Sequence, residues 1–158
     1  RVDFGIDLFR DLILQVGPKM PFYTSFKNFF FTHGGVHPDF WTEKKITKKS
    51  IESTFLYGQV DNSNTVMWQG QPYAHRVYDW TDHLPKGQIV FVGHDRSPLS
   101  PEPNFEDNLK MPLVYYTKNE ERVIFMDTGS GKGGTLSGAK LTFNNFNQLG
   151  IDTFLSFT

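Results

Sequence analysis

Between residues 3 and 16 apolar side chains recur at every fourth position, at Phe4, Leu8, Leu12 and Val16, with Phe9 and Ile13 beside them. That stripe predicts an amphipathic helix, which Gly17-Pro18 ends. Further along, the apolar residues fall into short runs. Residues 27–32, rich in Phe, read as a buried strand that delivers the loop Thr32-His33-Gly34-Gly35 at its C-terminal end. Residues 88–92 are a second, β-branched run between Lys86-Gly87 and Gly93-His94, and so repeat the layout of strand, glycine and histidine. Residues 113–117, 122–126 and 134–141 read as three more short strands. Between these runs the Lys-rich residues 41–53 predict a surface helix, or a helix and loop. Residues 58–70, rich in Asn, Ser and Gln, predict a loop passing over a site, and residues 73–83 a short helix. Pro98, Pro101 and Pro103 make residues 96–108 loop, and residues 143–158 are a strand or a packed tail. There is no internal repeat and no low-complexity segment.

A chain of 158 residues fits one domain. With 38% apolar, 16% aromatic and 21% charged residues it can fill and coat a core, and its 16 phenylalanines read as core filling. The formal net charge of −1 gives no global field toward nucleic acid or an anionic membrane. With no cysteine in the chain, disulfides, thiolate catalysis and Cys-ligated zinc are excluded, and His, Asp, Glu and Asn remain as metal ligands. No apolar run approaches the ~20 residues that cross a bilayer, and the expected compartment is the cytoplasm. The chain begins Arg1-Val2-Asp3-Phe4, without Met or a signal peptide, which reads as an interior start.

If the strands ending at His33 and His94 are neighbours in one sheet, the two imidazoles converge where ligands collect, at the carboxyl ends of strands. The flanking glycines leave room for a bulky anion, and imidazole joins carboxylate, amide oxygen and water around divalent ions. Alternatively each histidine is simply a hydrogen-bonded polar residue at a strand end. Arg76 and Arg96 are candidates for gripping phosphate through the guanidinium fork, with a surface salt bridge as the alternative. Asp95 can orient an imidazole, although adjacent strand residues point to opposite faces. His37 precedes Pro38 and so reads as loop, and His75 and His83 read as surface residues. The stretch from Gly129 to Gly134 lacks phosphate-loop spacing, because Lys132 is followed by Gly133. It reads as a tight hairpin with Lys132 solvated.

The order of Thr32-His33-Gly34-Gly35-Val36, Tyr78-Asp79-Trp80, Val90-Phe91-Val92-Gly93-His94, Ile124-Phe125-Met126-Asp127-Thr128-Gly129 and Gly133-Gly134-Thr135-Leu136 resembles the calcineurin-like metallophosphoesterases. The likeness is strongest to the branch holding phosphoprotein phosphatases, diadenosine tetraphosphate hydrolases and the phosphatase module of bacterial polynucleotide kinase-phosphatases. It covers residues 5–142. The resemblance implies that His33 and His94 both bind the second of two divalent ions, manganese, iron or zinc. It also implies that Asp127 supports the ligands without touching a metal, and that the ions together activate a hydroxide for in-line attack on phosphorus.

The departures from that pattern carry equal weight. The family's Asp-x-His, GDxxDRG-like and GNHE segments, which supply the remaining ligands and the acid His, do not occur in this sequence. Where the family continues its GH segment with Thr-Pro, this chain has Asp95-Arg96. The expected fold is therefore α/β: residues 1–142 as the C-terminal half of a metallophosphoesterase αββα sandwich with mixed sheets, and residues 143–158 as strand or tail. Such a half exposes a sheet edge and one face that need cover. The expected activity is phosphomonoester hydrolysis on a phosphorylated substrate, completed by an N-terminal half in the same protein or in another chain. The isolated chain is expected to be inactive. The alternatives are a non-catalytic remnant or partner chain of a split phosphatase, and a nucleotide diesterase or pyrophosphatase.

Overall fold

In chain order the computed structural model has β1 (Tyr23–Phe26), β2 (Phe29–Thr32), α1 (Lys48–Tyr57), β3 (Val60–Trp68), β4 (Gln71–Arg76), a 3-10 helix (Asp79–His83), β5 (Ile89–Val92), β6 (Leu113–Tyr116), β7 (Arg122–Phe125), β8 (Leu136–Phe143) and β9 (Leu149–Phe157). It describes residues 14–15, 19–42, 45–68, 70–94, 111–117, 121–130, 133–143 and 149–157. The architecture is mixed α/β and mostly sheet. Of the helix expected over residues 3–16, Leu14 and Gln15 are helical and the rest lies outside the described residues, as does the loop expected over residues 96–108. Among the described residues no helix is long and apolar enough to cross a membrane.

The central sheet has the order β1-β2-β5-β7-β6. Its inner strands β2, β5 and β7 run parallel, while β1 and β6 flank them antiparallel. The inner strands are Phe-Phe-Phe-Thr, Ile-Val-Phe-Val and Arg-Val-Ile-Phe, the near-continuous apolar runs that strands covered on both faces require. Alternate residues serve opposite faces. Phe30, Val90, Val92, Val123 and Phe125 pack with Val36, Phe55, Trp80 and Leu84 on one side. Phe29, Ile89, Phe91 and Ile124 pack on the other side against Ala139, Leu141, Ile151 and Phe154 of the β8–β9 hairpin. The central sheet is thus covered on both faces, and the open face expected of half a sandwich is not found on it. Its β1 edge is exposed along its length, although the Tyr23 ring stacks on Phe30 and Phe55 at 5.0 and 5.1 Å.

Several predicted elements are shifted by packing. The helix expected within residues 41–53 is α1, which starts after Thr47, whose hydroxyl accepts from Ser50 N–H. It runs on to Tyr57 because Thr54 and Phe55 are buried, and it ends at Gly58, which has φ 81° and donates to the Thr54 carbonyl. Residues 58–70 were expected as loop and residues 73–83 as helix. Instead β3 and β4 pair antiparallel, Val60 opposite Arg76 and Trp68 opposite Gln71, turning at Gly70 with φ 76°. Only Asp79–His83 is helical, and it is 3-10. The hairpin is largely exposed, so its strands lack the apolar alternation by which strands are read. Strand β8 runs through Phe143 and pairs along its length with β9, so the boundary expected at residues 142 and 143 falls inside a strand.

Two expectations follow from this packing. Phe30, 3% exposed between β1, α1 and Trp41, should cost about 3–5 kcal/mol when replaced by Ala, as read from urea unfolding midpoints. In the irregular stretch of β3, hydrogen bonds from the Ser63 hydroxyl, the Ser63 N–H and the Asn64 side chain hold the Asp61 carboxyl below the usual carboxylate range. The folded value lies below the unfolded one, so this contribution is full above about pH 4 and is lost as pH falls through the folded value. Followed by NMR, the Asp61 carboxyl and the Ser63 amide should titrate together at a midpoint below that of an unstructured Asp. A midpoint at or above that of a free Asp would contradict these bonds.

Candidate functional site

The register of the three parallel strands sets up the site. Thr32 pairs with Val92, and Val92 with Phe125, so the chain leaves β2, β5 and β7 level with one another at one edge of the sheet. His33, Gly93-His94 and Met126-Asp127 follow at once, tied by hydrogen bonds from Gly93 N to the carbonyls of Thr32 and His33 at 3.1 and 2.9 Å and from Met126 N to the Val92 carbonyl at 2.7 Å. The two imidazoles meet there, with ring centroids 4.8 Å apart and planes tilted by 31°. Both histidines are exposed.

Glycine makes this approach possible at two points. A Cβ on Gly93 would stand 3.3 Å from His33 Nδ1, and one on Gly34 would fall on the backbone of Leu56, Tyr57 and Gly58. The end of α1 therefore seats directly on the loop. Gly34 N donates to the Phe55 carbonyl at 2.6 Å, and the Thr32 hydroxyl donates to the Gly35 and Phe55 carbonyls at 2.8 and 3.2 Å. Arg76, at the end of β4, donates from Nη1 to the His94 carbonyl at 3.0 Å and also lies against Gly58. The Asp127 carboxylate accepts from Gly129 N at 2.9 Å, closing a turn in which Gly129 has φ 71°.

Two imidazoles on one ion suit this spacing. With metal–nitrogen bonds of about 2.1 Å, the ring centroids lie about 3.2 Å from the ion and about 4.5–5.2 Å apart for ligand angles between 90° and tetrahedral. The observed 4.8 Å falls within that span. A pair of ions needs more ligands, and among the described residues no group of three or more His, Cys, Asp or Glu is arranged to hold a metal. The described residues bring two imidazoles side by side and do not by themselves fit a two-metal centre.

Of the residues singled out in the sequence, His33, His94 and Arg76 are brought together, and Asp127 stands at the adjoining strand end. Arg96 and Asp95 lie outside the described residues, as does Lys132. His37 is half-buried in its loop, its Nδ1 accepting from Asp39 N at 3.1 Å. His75 lies in β4 and His83 at the end of the 3-10 helix. Sequence reasoning missed Thr32 and Gly58 as braces of the loop. The position of Gly58 after a helical stretch was the only signal for it, and the β2–α1 contact that gives Thr32 its partners leaves none. No family model, no curated protein and no solved structure matches the chain.

The contrast between the two glycines is testable. Gly34→Ala meets backbone that cannot step aside and should cost about 3 kcal/mol, the upper end of overpacking, whereas Gly93→Ala meets one ring and should cost about 1 kcal/mol. Equal losses in denaturant unfolding would contradict the seating of α1 on the loop.

Proposed function

We propose that this chain contributes His33 and His94 as two ligands of one divalent ion in a two-metal phosphomonoesterase centre, completed by groups from an N-terminal half in the same protein or in another chain. The observation that carries this reading is the imidazole pair itself, two rings 4.8 Å apart at adjacent ends of parallel strands. The fold reading that goes with it is the C-terminal half of an αββα sandwich, for which a mixed sheet with α1 on one face and the β8–β9 hairpin on the other is the support. When bound, manganese, iron or zinc ions supply Lewis acidity and a nucleophile for attack on phosphorus.

The chain's own groups have simpler tasks. His33 and His94 bind. Arg76 holds the backbone carbonyl of His94. Asp127 holds the turn behind the site through Gly129. A second reading is that the segment is a non-catalytic partner or remnant of a split phosphatase.

Metal analysis by inductively coupled plasma mass spectrometry, with His33→Ala and His94→Ala beside the parent chain, separates the two. Under the proposal the parent chain takes up zinc or manganese, each variant loses affinity by tenfold or more, and supplying the missing half gives phosphatase activity. A parent chain that binds neither ion, and stays inert when completed, leaves the non-catalytic reading.

A further inference from the structure

A closed zinc site takes four ligands, and this chain brings two to one place. His33 and His94 stand with ring centroids 4.8 Å apart, and among the described residues no third His, Cys, Asp or Glu joins them. Both histidines are exposed, on loops that leave adjacent strand ends of the central sheet. The chain has no cysteine, so no thiolate elsewhere in it competes for the ion. An ion held by two imidazoles at a surface has half of its coordination shell facing outward, to be filled by solvent or by another molecule.

A second copy of the chain fills that shell with no further kind of ligand. A tetrahedron has a two-fold axis that exchanges one pair of its corners for the other, and a two-fold axis is the symmetry by which identical chains most often pair. Each copy presents the same two imidazoles, and four imidazole nitrogens at about 2.0–2.1 Å make a shell that zinc accepts. Gly34 and Gly93, the chain neighbours of the two histidines, add no side chain to obstruct the approach. A formal net charge of −1 per chain sets up little long-range repulsion between copies.

We infer that the chain by itself takes zinc at one ion per two copies, with His33 and His94 of each copy as the ligands, in a two-fold dimer closed by the metal. The inference rests on the reading above that the imidazole pair binds an ion, and it adds a means of regulation to that site. The dimer and the completed phosphoesterase centre draw on the same two imidazoles, so each excludes the other. Catalytic zinc keeps one position open for water or substrate, whereas a shell of four protein ligands has none. Zinc in the absence of the completing half therefore holds the chain in a closed, inactive pair.

The test is sedimentation velocity of the metal-free 158-residue chain as zinc is added in steps from none to a large excess. Half an equivalent should convert the 18.2 kDa monomer into a species of twice that mass. A large excess should return it to monomer, because each imidazole pair then takes an ion of its own. Cobalt(II) in place of zinc should develop the absorption of a tetrahedral ion and saturate at half an equivalent. His33→Ala and His94→Ala, at exposed positions, should keep the parent melting temperature and stay monomeric at every zinc level. His83→Ala, at an exposed histidine of the 3-10 helix, should dimerise like the parent. Saturation at one equivalent with the chain still monomeric would overturn the shared ion and leave the ligand reading of His33 and His94 standing. No zinc bound at any level would remove both. A dimer that forms without zinc, or that survives His33→Ala and His94→Ala, would put the contact elsewhere on the surface and equally overturn the inference.

Discussion

Parallel pairing of β2, β5 and β7 with their C-terminal ends level is the constraint on which the candidate site depends. Three short apolar strands bury both faces, so a slip of one residue would turn Phe30, Val90 and Phe125 toward the β8–β9 side and expose the opposite set to the α1 side. Burial therefore fixes the register, and the register decides where the chain emerges. Since Thr32 lies opposite Val92 and Val92 opposite Phe125, His33, His94 and Asp127 follow from the same packing that holds the core together. Nothing in the histidines' own chemistry is needed to bring them side by side.

What keeps them there is a set of close backbone contacts around α1. Phe55 belongs to the core on the α1 side of the sheet, while its carbonyl accepts from Gly34 N and from the Thr32 hydroxyl. The anchor of the helix and the brace of the loop are thus one residue. Gly58 then ends the helix in the left-handed region, where glycine carries no Cβ penalty, and touches both the loop and Arg76. The end of α1 thus abuts the loop after β2 at Gly34 and also Arg76, which bonds to the His94 carbonyl.

The other side of the sheet is built differently. The β8–β9 hairpin contributes Ala139, Leu141, Ile151 and Phe154 to the core, while its outer face leaves Leu136, Leu155 and Phe157 exposed. At its entry the Thr128 hydroxyl binds the Thr135 carbonyl and the Ser137 hydroxyl, and Gly134 approaches the Thr128 carbonyl so closely that a Cβ there would collide with it. Lys27, in the β1–β2 turn, caps the far end by lying 4.4 Å over the Phe143 ring. The hairpin is pinned at both ends, and its Gly-rich entry serves packing, in keeping with the absence of phosphate-loop spacing.

Short apolar runs were legible as β2, β5, β6, β7 and β8, most plainly in β2, β5 and β7, where burial on two faces leaves a signal in composition alone. The repeated layout of strand, glycine and histidine likewise marked His33 and His94, and their adjacency needed only that the two strands be neighbours. The β3–β4 hairpin left no such trace: its strands are exposed and polar, and main-chain pairing is blind to side-chain type, so Asn, Ser and Gln at residues 58–70 read as loop. Local sequence also gave no warning of β1, whose Tyr23 acquires its partners Phe30 and Phe55 only on folding. The seat of α1 on Gly34 and the bond from Arg76 to His94 join residues apart in the chain. Periodicity and motif describe neighbours along a chain, and these contacts exist only between elements, so the tertiary structure alone decided them.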